Sequence, residues 1–219
     1  MGVHTVIVRA WLPDRPGALG QVASRIGAVR GDVCAIEILE QGAGTVIDEL
    51  VVRLPSPDLV DLMVAEVAAV DGVSVEHVRS VDGEFADPDL AALAEVASQA
   101  ETAPDDRPDH LVGAVSRLTG ADWVVLCSRH RVVASIGNAP ASDWVWALHD
   151  GSTHLGSDTD GSGDDVSVVV GTDLVLMASR PGRPFHSRER SRIELMARIA
   201  GALMPSSSTG NVVGTASLS

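Results

Sequence analysis

Apolar and polar residues alternate from Val6 to Leu12, with Val6, Val8, Ala10 and Leu12 on one side and Ile7, Arg9 and Trp11 on the other. That period of two is the signature of a strand. Pro13-Asp14-Arg15-Pro16-Gly17 ends it with two prolines in four residues. Pro16 suits the first turn of a helix, and Leu19, Val22, Ala23, Ile26 and Val29 recur at helical spacing up to a stop at Gly31. A Val- and Ile-rich strand, Asp32 to Gln41, is joined to an alternating strand, Thr45 to Leu54, by Gly42-Ala43-Gly44. Those glycines permit the positive φ of a tight hairpin. Beyond Pro55-Ser56-Pro57, the positions Val60, Met63, Val64 and Val67 mark a second helix that ends near Gly72, and Val73 to Val81 reads as a last strand. The order β-α-β-β-α-β predicts the ferredoxin-like split arrangement, with both helices on one face of a four-stranded antiparallel sheet. The other face carries Ile7, Trp11, Ile47 and Val51 among Arg9, Glu49 and Arg53. It is more apolar than a solvated face requires, so this unit is expected to pair with a second copy or to pack on the rest of the chain.

The pattern then changes. Residues 82–106 are acidic and Ala-rich, punctuated by Pro88 and Pro104, and Leu90, Leu93, Ala94 and Ala97 predict a partly helical linker. Residues 107–204 read as a second unit. A helix around Leu111 to Leu118 leads through Gly120 to strands Trp123 to Ser128 and Val132 to Ile136, which flank the turn Arg129-His130. A short apolar segment, Trp144 to Leu148, precedes a loop dense in Gly, Ser and Asp up to Asp165. Strands Val166 to Val170 and Leu174 to Ser179 follow, and a helix from about Ser187 to Met204 closes the unit. Residues 205–219, rich in Ser, Gly and Thr, read as a frayed tail. The fold class expected is α+β: a ferredoxin-like domain over 1–81, the linker 82–106, and a second small α+β domain over 107–204 with a central antiparallel sheet.

Composition removes several chemistries. Among 219 residues the net charge is −14, all sixteen basic residues are Arg, and there is neither Lys nor Tyr. A lysine Schiff base, a P-loop lysine and a kinase-type lysine are therefore excluded. The acidity and the six Trp and Phe argue against a nucleic-acid partner, which clustered basic residues and stacking aromatics would serve. Thirteen of the thirty acids fall in 82–106 and 149–165, neither of which has an Arg, so the remainder is nearly neutral. Six Arg lie between Arg180 and Arg198 and are expected to meet an acidic segment of this chain or of a partner. No apolar run reaches the roughly 18 residues of a spanning helix, and the N-terminus has no basic-then-apolar pattern, so a cytoplasmic protein without a membrane partner is expected. Cys34 and Cys127 sit in apolar runs and are expected to be small buried hydrophobes.

The strand ending in Leu12-Pro13-Asp14-Arg15-Pro16-Gly17-Ala18-Leu19, with the return through Gly31-Asp32-Val33-Cys34-Ala35-Ile36, resembles the ACT domain over about residues 4–81. That resemblance implies a regulatory module that pairs through its sheets or helices and binds a free amino acid at the interface. Gly17 allows close backbone approach, and the N–H groups opening the helix favour an α-carboxylate. By the resemblance, loop contacts fall on Leu12, Asp14, Arg15, Gly17, Ala18 and Leu19. Strand contacts, from the same or a partner chain, fall on Val33 and Cys34. Many amino-acid-binding members have a polar side chain in place of Leu12 and an Asn in place of Val33. Three outcomes stay open: a different ligand, a site made by backbone alone, or no ligand. Residues 107–204 look like a reduced GAF domain, judged from the element order and from Arg183-Pro184-Phe185 followed by Glu189. The short, Gly- and Asp-rich middle of that unit favours a structural or dimerising role.

Other constellations lack a partner they need. Asp158 to Asp164 begins like a calcium loop, yet Val169 stands where a bidentate Glu is required. His149 and His154 have no cysteines near them for a zinc site. No Gly-x-Ser-x-Gly elbow occurs. No metal or cofactor is expected, and the leading expectation is a non-catalytic, allosteric amino-acid sensor acting as a homodimer or larger assembly, with an unidentified protein partner possible. The alternatives are a scaffold or dimerisation protein with empty pockets, and a small-molecule sensor working through the GAF-like unit, which a cavity enclosed by Cys127, Trp144 and Met177 would support.

Overall fold

A computed structural model describes residues 4–81, 85–154 and 163–204. The expected tail and the calcium-like loop up to 162 lie outside the described residues. The chain forms two units, each a mixture of helices with one four-stranded antiparallel sheet.

In the first unit, β1 (His4–Pro13) leads to α1 (Ala18–Ala28), β2 (Asp32–Gly42), β3 (Thr45–Leu54), α2 (Val60–Ala68) and β4 (Ser74–Val81). The sheet order is β2-β3-β1-β4, every neighbour antiparallel. This is the split β-α-β order that the pattern predicts. The alternation sends Val6, Val8, Ala10 and Leu12 of β1 into one core with Leu50, Val52 and Leu54 of β3. Val22 and Ile26 of α1 and Met63 and Val67 of α2 complete it. The hairpin between β2 and β3 turns on Ala43 and Gly44, both at positive φ, as a two-residue loop following the right-handed twist requires. After α1, the left-handed position is Arg30, at φ 64°, and Gly31 is needed for room. A Cβ there would stand 2.6 Å from Ile26 Cγ2, because the Gly31 amide folds back onto the Ile26 carbonyl at 2.9 Å.

The second face of this sheet is not solvated. Ile7, Ile47 and Val51 are each under 4 % exposed. Residues Arg183–Ser191, far along the sequence, belong to the first unit, and Phe185 bridges to Gly163 there. Arg9 is enclosed by this segment and by its own sheet. Its guanidinium donates to Glu49 Oε2 (2.8 and 3.2 Å), Glu189 Oε1 (3.0 Å) and the Pro184 carbonyl (3.3 Å). His186, wholly buried, places Nδ1 3.3 Å from Glu40 and Nε2 3.0 Å from Glu76.

The second unit contains most of α3 (Pro88–Glu101), then α4 (Arg107–Thr119), β5 (Trp123–Cys127), β6 (Val132–Ile136), α5 (Ser142–His154), β7 (Asp165–Val170), β8 (Leu174–Ser179) and most of α6 (Ser187–Leu203). Its sheet runs β6-β5-β8-β7. Two helices exceed their sequence signal. α5 is thirteen residues long where five apolar residues stood out, since its second half, His-Asp-Gly-Ser-Thr-His, has no apolar stripe to advertise it. α3 is one continuous helix, tied to α4 where Arg117 forks over Glu95 (2.8 and 3.0 Å) and His110 meets Gln99 at 2.6 Å. Arg192 pairs with Asp89 at 2.9 Å, so one cation of the Arg-rich stretch does meet the acidic segment.

A candidate ligand-binding turn in the first unit

β1 delivers the chain to a turn that is held by backbone. Asp14 donates its amide to the Gly44 carbonyl (2.9 Å), Arg15 to Pro13 (2.8 Å) and Ala18 to Arg15 (3.2 Å). Gln41 Nε2 donates to Asp14 Oδ2 at 2.9 Å, fixing the turn to the end of β2. Gly17 is the N-cap of α1 at φ 86°, a conformation an L side chain adopts only with strain, although the space around its missing Cβ is open. No side chain caps α1, and its first turn has no acidic residue. Gln21 returns its amide to Gly17 (3.0 Å), which leaves the Gly17, Leu19 and Gly20 amides as the open donors of the turn among the described residues. Donors of this kind at the positive end of a helix dipole attract an anionic group.

The expected site residues divide into two groups. Leu12, Asp14, Arg15, Gly17, Ala18 and Leu19 come together in this turn. Leu12 and Ala18 are buried in the core, Leu19 packs partly against it, and Asp14, Arg15 and Gly17 are exposed. Val33 and Cys34 lie elsewhere. Val33 is registered with Val52, and Val52 with Val6, six residues along β1 from Leu12. At about 3.3 Å per residue that is roughly 20 Å, so within one chain the two groups sit at opposite ends of the sheet. Cys34 is also exposed, against the expectation of a buried hydrophobe, because β2 is an edge strand whose register slips between Val33 and Ala35. Its Sγ lies 3.4 Å from the Asp32 carbonyl. Cys127 is buried as expected, and burial raises its thiol above the ordinary value.

One residue of this region escaped sequence reasoning. On β3 the inward positions read Val46, Asp48, Leu50, Val52 and Leu54. Asp48 is 3 % exposed, opposite Ala10 on β1 and Ile38 on β2, and its Oδ1 has no hydrogen-bond partner. Burial raises its carboxyl above the usual range. The signal was available: a carboxylate at an inward position of a period-two strand.

In the second unit, Cys127 and Met177 are packed with Val125, Val145 and Val175, whereas Trp144 stands half-exposed, edge-on to Trp123 at 6.4 Å. The three residues thus do not line one cavity. An open groove of about 480 Å³ lies nearby between Ser128, Arg129, Trp146 and Asp173, with the Arg129 guanidinium 4.2 Å over the Trp146 ring. Among the described residues no cluster of three or more His, Cys, Asp or Glu could hold a metal ion, and no helix is long and apolar enough to cross a membrane.

No protein-family profile matches the chain, and no curated protein matches it. Solved structures resemble it in outline. The ACT domain of a GTP pyrophosphokinase from Chlorobium tepidum is 16% identical, with 36% of this chain and all of that one covered at a TM-score of 0.30. A formyltetrahydrofolate deformylase from Pseudomonas putida is 18% identical, covering 43% of this chain and 37% of the other at 0.31. A putative glycine cleavage system transcriptional repressor is 10% identical, covering 82% of this chain and 80% of the other at 0.35.

Proposed function

We propose that this is a non-catalytic, cytoplasmic regulatory protein that binds a free amino acid through an ACT-like first unit and signals as a homodimer or larger assembly. The observation that supports this best is the uncapped, acid-free N-terminus of α1, offering the Leu19 and Gly20 amides beside Gly17 to a carboxylate. In this reading residues 1–81 form the sensor, 82–106 connect it, 107–204 form a GAF-like unit except for Arg183–Ser191, which completes the sensor's sheet, and 205–219 form a tail. Leu12, Asp14, Arg15, Gly17, Ala18 and Leu19 form one wall of the site. Because Val33 and Cys34 lie at the far end of their own sheet, the second wall is the partner subunit's Val33 and the partner subunit's Cys34. Antiparallel pairing of two β2 edges centred near Glu37 would bring the partner's Val33 level with Gln41, which bonds Asp14. Ligand seated between two copies would favour one arrangement of the pair, which is how binding becomes a signal. The test is calorimetric titration of the full chain against the twenty amino acids, with thermal shift beside it. Binding of one or a few at micromolar to millimolar strength is expected, and silence across the panel by both methods would overturn the reading.

A second reading is favoured by the β2 edge itself, where Ile36 and Ile38 are 45% and 51% exposed. Both units would then be assembly devices with empty pockets, and a stable oligomer indifferent to every ligand is the result that selects it. Sensing through the GAF-like unit is less well served, because Cys127 and Met177 pack into a core.

A further inference from the structure

We infer that Asp48 is the cation-binding end of the site, receiving the ammonium group of the bound amino acid while the first turn of α1 receives the carboxylate. The inference rests on the amino-acid reading above and names a residue that reading did not contain. Asp48 is the one carboxylate on the helix-covered face of its sheet among the described residues, and it lies next to the turn. Its register partner on β1 is Ala10, and Leu12, where the turn begins, is two residues further on, about 7 Å along the strand. Ala10 is the smallest of the four inward side chains of β1, so on the β1 side no bulky group faces the carboxylate, while the half-exposed Ile38 faces it from β2. Asp48 is 3 % exposed, its Oδ1 is unpartnered, and no cation pairs with it among the described residues.

A carboxylate taken out of water in this way is answered either by a proton or by a cation. The surroundings offer no cation from the protein. They do offer, in the turn that follows Leu12, open amides that suit an anion. A group that brings a positive and a negative charge in adjacent positions fits both ends, and a free α-amino acid is such a group. A simple amine would satisfy Asp48 alone, and a simple carboxylic acid the turn alone, so each is expected to bind more weakly than the zwitterion.

The experiment is titration of wild type, Asp48→Asn and Gly17→Ala with the amino acid selected from the panel and with its deamino analogue, the same carboxylic acid without the amine. Wild type is expected to prefer the amino acid to the analogue by tenfold or more. Asp48→Asn should bind the amino acid at least tenfold more weakly than wild type and lose that preference, and Gly17→Ala should weaken both ligands. Asp48→Ala removes the carboxylate altogether and gives the same reading if the carboxamide finds a hydrogen bond to the ligand. Wild-type affinity in both Asp48 variants, with Gly17→Ala impaired, would overturn the role of Asp48 and leave the amino-acid site in place. Silence of wild type toward all twenty amino acids overturns both. Thermal unfolding separates lost binding from lost fold, since removing a buried charge is expected to raise the midpoint of Asp48→Asn.

Discussion

Asp48 and Arg9 occupy positions one residue apart in the β1–β3 register, Arg9 opposite Glu49 and Asp48 opposite Ala10, yet they meet opposite fates. Arg9 is buried with its charge answered. Burial works against its ionised form, but Glu189 and Glu49 outweigh that and hold its pKa above the ordinary value. Replacing it by Ala removes the guanidinium that Glu49 and Glu189 share, and Arg9→Ala is expected to cost about 3–5 kcal/mol in chemical denaturation. A loss below about 1 kcal/mol would mean that water reaches those carboxylates. Asp48 is buried with its charge unanswered. Its folded pKa lies above its unfolded one, so the folded state holds the proton more tightly. The stability this contributes is fully present below the ordinary carboxylate pKa near 4 and is lost as the pH rises through the raised folded value. Asn does not titrate. Asp48→Asn is therefore expected to be more stable than wild type at neutral pH, with the gap closing on acidification. A gap that widens toward acid would contradict the assignment.

At the scale of elements, β2 is the exposed one. It is an edge strand of eleven residues whose helix-side positions Ile36 and Ile38 remain in solvent. A long edge bearing apolar residues invites another strand. Fully burying one such side chain contributes roughly 1.5–3 kcal/mol, and 1.4 kcal/mol is tenfold in affinity. If the proposed homodimer pairs through β2, the double variant Ile36→Arg, Ile38→Arg is expected to be a monomer in light scattering, with the thermal midpoint of the monomer nearly unchanged. A variant that dimerises like wild type would place the interface elsewhere. The elements of the first unit were legible because each has a periodic apolar stripe and a punctuating Pro or Gly. The turn of the candidate site was legible for the same reason: Pro13, Pro16 and Gly17 leave the backbone little choice. Half of α5 was not, since nothing in His-Asp-Gly-Ser-Thr-His marks a buried face. Nor was the separation of Val33 from Leu12, because a list of contacts carried over from a family does not say which chain supplies each. Asp48 was readable from its inward position on β3, but a scan for clusters passes over a lone carboxylate.

The whole molecule is not two consecutive beads. The first unit is completed by Arg183–Ser191, just over a hundred residues after β4 ends, and this segment supplies Glu189 to Arg9, the Pro184 carbonyl to the same guanidinium, and His186 to Glu40 and Glu76. Glu76 carries the consequence in its titration. Burial pushes its carboxyl up, but the hydrogen bond and charge of His186, with Arg9 and the Trp11 indole, bring it below the usual value. A depressed carboxylate gives stability that is present above its unfolded pKa and is lost as the pH falls through its folded one. Cutting the chain after residue 88 removes Pro184, His186 and Glu189 at once, leaving Arg9 with Glu49 and Glu76 alone. The fragment 1–88 keeps its helix-side core and its strand order, so it is expected to retain its circular dichroism spectrum but to melt well below the intact protein and to associate through the bared face. A synthetic peptide spanning 180–192, added in excess, should raise its midpoint, and the same peptide with Glu189→Ala and His186→Ala should not. A fragment as stable alone as within the chain would show that the segment rests on the sheet without holding it.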